Sequence, residues 1–163
     1  MLFMEAHAQK RVIMEEDYRQ WETLSLAGVS HDGRWVAYKK GKVAGDTLFI
    51  CNTKTAFLKA YPEAYRAVFS GNDRYVSIIG STNVLLLELG TGREMTIEKA
   101  NFLGFSNSSG TAMLHDQANS SLIIVDTNTL SIKDIRNVTD ATLSPKGDFA
   151  ALVKKEKDHQ SVV

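Results

Sequence analysis

The sequence predicts an all-β protein, a β-propeller of four-stranded antiparallel blades with a short N-terminal helical arm. The main observation is an internal repeat, in which a short apolar stretch runs into a serine, a polar turn and a second apolar stretch. The four copies read GVSHDGRWVAYKK, AVFSGNDRYVSII, LGFSNSSGTAMLH and ATLSPKGDFAALV, with serines at Ser30, Ser70, Ser106 and Ser144. These serines lie 40, 36 and 38 residues apart. Strand-rich repeats of about 40–45 residues are typical of propeller blades.

Composition supports a globular fold and excludes several classes of partner. Hydrophobic residues make up 44% of the 163 residues, and 19 basic residues balance 19 acidic ones. A nucleic-acid-binding domain usually carries a basic excess, so we expect no nucleic-acid partner. We also expect no membrane partner, because no apolar run approaches the roughly 20 residues that span a bilayer.

Residues 1–25 form the predicted N-terminal arm. The segment VIMEEDYRQWETL has apolar residues near helical spacing and acids early, which suits a short helix or turn. We expect Trp21 to anchor this arm on the propeller or on a neighbouring domain. Ala6-His7-Ala8 has the small-x-small form that signal peptidase cleaves, and two interpretations stay open: a signal-peptide remnant or chance.

Residues 26–163 form the predicted partial propeller, with blades at about 26–62, 63–100, 101–137 and 138–163. After each serine the sequence predicts a tight turn and a second strand, at 34–40, 74–79, 111–115 and 148–154. Third strands are predicted at 47–52, 84–89 and 122–126, and weaker fourth strands at 56–60, 94–98 and 131–135. Gly90-Thr91-Gly92 is interpreted as a hairpin turn rather than a phosphate loop, because it lies between two strands.

A four-stranded blade is apolar on both faces, so a neighbour must cover each face. The side chains expected between adjacent blades are Phe49, Leu86, Ile123, Val36, Val76 and Ala150. Three blades are complete, and the fourth stops near the start of its third strand. We therefore expect the N-terminal part of a longer propeller. One alternative is a half propeller that closes as a homodimer, with about eight blades in the ring.

The opening segment resembles the start of the N-terminal propeller in bacterial prolyl oligopeptidase-like serine peptidases. In that family a Y-x-x-W arm leads into an S-x-D-G-(K/R)-(W/Y) turn and a following strand. The matching residues here are Tyr18, Trp21, Ser30, Asp32, Gly33, Arg34, Trp35, Val36, Tyr38, Asp46, Leu48, Phe49 and Ile50. The resemblance covers residues 15–55 and is only blade-like beyond them. The serine-turn pattern is also shared with TolB-type periplasmic propellers.

The resemblance implies that this chain is the noncatalytic propeller of a serine peptidase, a hydrolase. The propeller would gate the access of peptide substrates and dock on a C-terminal α/β-hydrolase domain that carries the catalytic residues. It also implies a periplasmic or secreted location, with the cytoplasm as the alternative. The competing function is a periplasmic TolB-like or WD40-like propeller that binds a protein or another ligand.

We expect no catalytic, cofactor-binding or metal-binding residue and no cofactor in this chain. No G-x-S-x-G nucleophile elbow occurs in it. Ser30-His31-Asp32 contains the three residue types of a catalytic triad, but consecutive residues point in different directions and cannot form the relay. The other histidines, His7, His115 and His159, lack metal-ligand spacing, and His115-Asp116 is expected to end a strand on the surface. Cys51 lies in an apolar strand and is interpreted as a buried, inert thiol.

Overall fold

The computed structural model describes residues 12–18, 21–42, 45–106, 110–147, 149–155 and 160–162. In this part of the chain, fifteen strands form four separate antiparallel sheets of consecutive strands, and one short helix precedes them. Three sheets have four strands and the last has three. The predicted all-β fold class, with about four blades and an incomplete last blade, is confirmed. No helix among these residues is long and apolar enough to span a membrane.

The elements follow one another in a repeating order. Helix α1 spans Glu15–Tyr18, and sheet 1 contains β1 (Thr23–Val29), β2 (Trp35–Lys42), β3 (Gly45–Asn52) and β4 (Leu58–Pro62). Sheet 2 contains β5 (Arg66–Phe69), β6 (Tyr75–Ile79), β7 (Asn83–Glu88) and β8 (Glu94–Glu98). Sheet 3 contains β9 (Asn101–Phe105), β10 (Thr111–Asp116), β11 (Ser121–Asp126) and β12 (Ile132–Arg136). Sheet 4 contains β13 (Val138–Leu143), β14 (Ala150–Lys155) and β15 (Gln160–Val162).

These strands lie close to the predicted ones, and the largest shift is in β4. This strand begins at Leu58 rather than at the predicted residue 56. The side-chain oxygen of Asn52 accepts hydrogen bonds from the backbone N–H groups of Lys54 and Thr55, at 2.9 and 3.1 Å. Such an asparagine-stabilised turn extends the loop and delays the next strand.

Apolar side chains between successive sheets form the core. Leu48 and Ile50 of sheet 1 pack in one cluster with Val76 and Leu87 of sheet 2. A second cluster joins sheets 2 and 3, and a third joins sheets 3 and 4. No cluster of the described residues joins sheet 4 to sheet 1, so the array of sheets is open. The hydrophobic effect therefore holds the sheets together pairwise, in sequence order.

The prediction for the side chains between blades is right for part of the set. Val76 and Leu86 lie in the inter-sheet clusters, and Ile123 packs against the second one. Ala150 is half-buried. For Phe49 and Val36 the prediction is wrong. Both lie on the face of sheet 1 opposite to Leu48 and Ile50, and no described sheet covers that face. Side chains alternate along a strand, so Phe49 faces away from the next sheet in the chain, sheet 2. Leu86 of sheet 2, in contrast, faces its next sheet, sheet 3.

The arm contains a short helix, as the sequence predicts, but its described aromatic residues are exposed. Its helix has four residues and begins with the expected acids, Glu15, Glu16 and Asp17. The rings of Tyr18 and Trp21 lie 4.7 Å apart, but Trp21 keeps 58% of its surface exposed. Anchoring of Trp21 on the propeller is therefore wrong, whereas anchoring on a neighbouring domain stays a prediction.

The limits of the domains also stay predictions. The first strand of sheet 1 begins at Thr23, whereas the predicted propeller begins at residue 26. Ala6-His7-Ala8, with its possible signal-peptide remnant, lies outside the described residues.

Candidate functional site

The repeated serines hold the tight turns between the first and second strands of the sheets. In sheet 1, the backbone N–H of Ser30 donates to the carbonyl of Trp35 at 2.9 Å, and the N–H of Trp35 donates to Ser30 Oγ at 2.9 Å. The same pair of bonds joins Ser70 to Tyr75 and Ser144 to Phe149. A serine is needed because a short hydroxyl side chain accepts the N–H that the turn leaves unpaired.

Ser30, His31 and Asp32 do not form a catalytic relay. The Ser30 hydroxyl donates to Asp32 Oδ1 at 2.7 Å, and Asp32 Oδ1 also accepts the N–H of Arg34 at 2.9 Å. The ring of His31 instead contacts Asp73, with Nδ1 3.2 Å from Oδ1. Asp32 therefore caps its own turn. The Arg34 N–H and then the Ser30 hydroxyl lower the pKa of Asp32 to about 2.

Asp73 joins the serine turn of sheet 2 to that of sheet 1. Its Oδ1 accepts the backbone N–H of His31 at 2.8 Å, and its Oδ2 accepts the backbone N–H of Asp32 at 2.8 Å. Asp73 itself has a positive φ of 55°, a conformation that aspartate tolerates better than most residues. The carboxylate thus fixes the distance between neighbouring turns at this end of the sheets.

A pocket of about 560 Å³ opens beside these turns, between sheets 1 and 2. Its lining combines two guanidinium groups, three carboxylates and an aromatic wall. The residues that carry these groups are Asp32, Arg34, Trp35, Phe57, Asp73, Arg74 and Glu88. The rings of Trp35 and Phe57 meet edge to face, with centroids 5.1 Å apart. No serine, cysteine or histidine is found among the described residues that line this pocket.

Glu88 is a buried carboxylate in the lining of this pocket. Its Oε2 accepts a hydrogen bond from the Thr91 hydroxyl at 2.7 Å, and the guanidinium groups of Arg74 and Arg93 each lie 3.3 Å from one of its oxygens. The Thr91 hydroxyl, followed by the other donors, lowers the pKa of Glu88 despite its burial. Arg74 also donates to Asn128 Oδ1 at 2.9 Å, which links sheets 2 and 3.

A second polar link joins β4 to β8, the fourth strands of sheets 1 and 2. The Tyr61 hydroxyl donates to Glu94 Oε1 at 2.6 Å, and Lys59 Nζ lies 2.8 Å from the same oxygen. Burial, followed by the Glu94 carboxylate, raises the pKa of Tyr61 above its ordinary value. The pKa of Glu94 is lowered, because the bonds from Lys59 and Tyr61 outweigh its desolvation.

His115 and Asp116 end strand β10 as predicted, but they are buried rather than on the surface. His115 Nε2 lies 3.1 Å from the carbonyl oxygen of Val138, in the first strand of sheet 4. Asp116 accepts hydrogen bonds from the side chain and backbone of Asn119, which lower its pKa. The prediction failed because sheet 4 covers the end of β10, a contact that the local sequence does not show.

The other residues considered from the sequence lie in a turn, in a strand or outside the described ranges. Gly90-Thr91-Gly92 forms the hairpin turn between β7 and β8, as predicted, with the N–H of Gly92 donating to the Glu88 carbonyl at 2.8 Å. Cys51 is half-buried rather than buried, because its face of sheet 1 is uncovered. No group of three or more His, Cys, Asp or Glu side chains in the described ranges could hold a metal ion. His7 and His159 lie outside those ranges.

Asp73 and Glu88 are the residues of this pocket that sequence reasoning missed. Asp73 lies in the polar turn after Ser70, and its partners lie 41 and 42 residues away in the sequence. Glu88 interrupts an apolar run in the sequence, and its position at the end of β7 brings it beside Arg74 and Arg93. A charged residue inside an apolar run was the one signal present, since a buried charge requires a partner.

Comparison with known proteins shows the fold. No family model matches the chain, and no curated protein sequence matches it. Among solved structures it is similar to the β-propeller domain of the trilobed protease from Pyrococcus furiosus, which has an open velcro topology. That match has a TM-score of 0.58 and 16% identity, and covers 86% of this chain and 51% of the other.

Two further structures share this fold with the chain. Acylaminoacyl peptidase from Pyrococcus horikoshii matches with a TM-score of 0.53 and 12% identity, over 88% of this chain and 30% of the peptidase. Dihydro-heme d1 dehydrogenase NirN matches with a TM-score of 0.51 and 13% identity, over 85% of this chain and 34% of NirN. The chain thus spans 51%, 30% and 34% of these three chains, and it shares with them the propeller fold.

Proposed function

We propose that this chain is the noncatalytic propeller portion of a prolyl oligopeptidase-like serine peptidase, which gates peptide access to a C-terminal α/β-hydrolase domain. The observation that carries this proposal is the opening segment, in which a Tyr18–Trp21 arm precedes the serine turn at Ser30. The exposed pair of arm rings supports it, because an unburied aromatic pair suits contact with another domain. The fold that the chain shares with two protease structures is compatible with this function.

The chemistry of the pocket beside the serine turns agrees with a binding or gating role. Arg34 pairs with Asp32, and Arg74 pairs with Glu88. These side chains offer hydrogen-bond donors and acceptors beside the aromatic wall of the pocket. A peptide backbone and its side chains can contact such a surface without reacting.

The test is to sequence the gene beyond the codon for Val163 and to assay the encoded protein. We expect a downstream G-x-S-x-G elbow, and labelling of its serine by a fluorophosphonate probe. Residues 1–163 alone should show no labelling and no hydrolysis of peptide p-nitroanilides. A gene that encodes further blades but no nucleophile elbow would contradict the proposal.

The gating role needs a separate measurement on the full-length enzyme. Asp73→Ala should loosen the contact between sheets 1 and 2. If the propeller restricts entry, hydrolysis of a long peptide should rise relative to hydrolysis of a dipeptide substrate. An unchanged ratio of the two rates, with the expected loss of stability, would contradict gating while leaving the peptidase assignment intact.

The second candidate is a periplasmic TolB-like or WD40-like propeller that binds a protein or another ligand. The pocket of about 560 Å³ between sheets 1 and 2 favours it, since its volume lies in the range of small-ligand sites. Both candidates include a periplasmic or secreted location, which cell fractionation of the source organism would test.

A further inference from the structure

The carboxylates that line the pocket between sheets 1 and 2 already have partners. Both oxygens of Asp32, of Asp73 and of Glu88 contact a donor among the described residues. The donors to Asp73 are two backbone N–H groups at 2.8 Å, and a guanidinium group lies 3.3 Å from each oxygen of Glu88. Three guanidinium groups balance these carboxylates in charge, those of Arg34, Arg74 and Arg93. The pocket therefore does not repel an anion through its net charge.

The donors of the lining, in contrast, keep unused capacity. Arg34 donates from Nε to Asp32, and its two terminal amino groups have no acceptor in the described part of the chain. Asn52 accepts the N–H groups of Lys54 and Thr55 with Oδ1, at 2.9 and 3.1 Å, so its other amide atom is the donor Nδ2. Among the described residues, this Nδ2 also has no acceptor. A ligand in this pocket is therefore expected to offer hydrogen-bond acceptors.

An apolar wall lies next to these unused donors. The rings of Trp35 and Phe57 meet edge to face at 5.1 Å, and Leu89 also lines the pocket. Trp35 follows Arg34 in β2 and is the cross-strand partner of Asn52 in β3. The polar and apolar parts of the lining are thus neighbours, and the volume of about 560 Å³ is that of a small-ligand site. This combination suits a ligand that carries an acceptor group beside an apolar one.

We propose that this pocket binds a free carboxylate next to an aromatic or large aliphatic group, as at the C-terminus of a peptide that ends in phenylalanine or leucine. The end of the Arg34 guanidinium pairs with the carboxylate, because its planar N–H groups match the two oxygens. Asn52 Nδ2 donates to the same carboxylate, and the apolar group packs on Trp35 and Phe57. The proposal rests on the binding role given above to this pocket and not on the peptidase assignment. Absence of a downstream nucleophile elbow and absence of this binding are therefore separate outcomes.

The first test is titration calorimetry of the protein with N-acetylated alanyl-alanyl-phenylalanine, here called the tripeptide acid. The same compound with a C-terminal amide is the tripeptide amide. The acid should bind at least about ten-fold more tightly, because the amide cannot form the charge-assisted pair with a guanidinium group. Equal affinities of the two compounds, or no binding of the acid at millimolar concentration, would overturn the proposal.

Two further compounds separate the parts of the ligand. N-acetylated alanyl-alanyl-glycine lacks the apolar side chain and should bind about ten-fold more weakly than the tripeptide acid. An equal affinity of these two would contradict the role of the aromatic wall. N-acetylphenylalanine keeps the carboxylate and the ring without the rest of the peptide. Weaker binding of this small acid would identify a peptide C-terminus as the ligand, whereas equal binding would identify a small aromatic acid with the same recognised chemistry.

Arg34→Gln tests the guanidinium group. The Arg34 side chain is 60% exposed, so the variant should fold. Its affinity for the tripeptide acid should fall by about 10- to 100-fold. Arg34→Lys should recover part of this loss, because lysine keeps the charge but not the planar N–H groups. Arg66→Gln removes an exposed arginine of β5 outside the pocket and should leave the affinity unchanged. A folded Arg34→Gln variant with the affinity of the wild type would overturn the proposal.

Asn52→Asp is an independent variant that preserves the turn. One carboxylate oxygen can still accept the N–H groups of Lys54 and Thr55, whereas a negatively charged oxygen replaces Nδ2. Charge repulsion should weaken binding of the tripeptide acid by about ten-fold and leave binding of the tripeptide amide unchanged. No loss for the acid, or the same loss for both compounds, would contradict the contact between Asn52 and the carboxylate.

Discussion

The carboxylate of Asp73 binds the backbone N–H of His31 at 2.8 Å, across the boundary between sheets 2 and 1. The same carboxylate accepts the N–H of Asp32 at 2.8 Å. Apolar packing holds neighbouring sheets together but has no direction, whereas these two bonds fix one turn relative to the next. The polar contact therefore sets the shape of the pocket that the two turns line.

Replacing Asp73 with alanine should destabilise the protein by about 1–3 kcal/mol, because two backbone N–H groups lose a charged acceptor. Urea unfolding followed by tryptophan fluorescence would measure the change. Asp134→Ala is the matched control, since Asp134 is exposed and its ion pair within the described ranges, with Arg136, is long at 3.9 Å; it should change stability by no more than about 0.5 kcal/mol. Equal effects of the two substitutions would contradict a role for Asp73 in joining the sheets.

Stability should fall in acid as the turn carboxylates become protonated. The pKa of Asp32 is lowered from 3.8 to about 2, chiefly by the Arg34 N–H and the Ser30 hydroxyl. A carboxyl whose pKa is lower in the folded state stabilises the protein above its unfolded pKa. That contribution is lost as the pH falls through the folded pKa. The Asp32 contribution should therefore be complete above about pH 4 and disappear toward pH 2.

The measurement for this acid dependence is the urea midpoint at several pH values for wild type and Asp32→Asn. The variant should be less stable at neutral pH and should lose less stability between pH 4 and 2, because the missing carboxylate no longer titrates. Glu88 and Asp116, whose pKa values are also lowered, should keep part of the acid dependence in the variant. Parallel pH profiles for the two proteins would show that Asp32 does not contribute.

The two faces of sheet 1 should respond differently to truncation. Leu48 is 0% exposed in the cluster between sheets 1 and 2, so Leu48→Ala should cost about 2–5 kcal/mol. Phe49 lies on the opposite face of sheet 1, which no described sheet covers, and stacks on Tyr38, with ring centroids 5.2 Å apart. In dilute protein, Phe49→Ala should cost only about 0.5–1.5 kcal/mol, although it removes more atoms. A larger loss for Phe49 than for Leu48 would mean that the Phe49 face is covered in solution.

The blade repeat was predictable because its signals are local. The serine turn needs a hydroxyl at its first position and a residue that tolerates positive φ near its end, such as Gly33, Asp73 or Gly147. Alternating apolar residues on either side then specify two antiparallel strands. Short-range chemistry of this kind is repeated in the sequence, so a single chain reveals it.

The contacts between sheets were not predictable in the same way. Phe49 and Leu86 look equivalent as apolar residues in third strands, but they lie on opposite faces of their sheets. A shift of one residue along a strand moves a side chain to the other face of the sheet. The sequence alone does not show at which residue each strand begins, so it does not show which apolar residues share a face. Likewise, His115 is buried by a strand that begins 23 residues later, at Val138. Such long-range partners leave no local pattern.

The turn of the fourth blade should tolerate substitution less than the turn of the first. Gly147 has φ of +72°, and a Cβ atom there would lie 2.5 Å from the carbonyl oxygen of Phe105 and 2.9 Å from Cα of Ser106. Gly33 has a similar φ of +67°, but nothing lies within 4 Å of its Cβ position. Gly33→Ala should therefore cost about 1 kcal/mol, from the left-handed conformation alone. Gly147→Ala should cost about 2–4 kcal/mol, because backbone of sheet 3 must also move. Thermal unfolding of both variants would measure the difference, and equal losses would mean that sheets 3 and 4 are not packed this closely at Gly147.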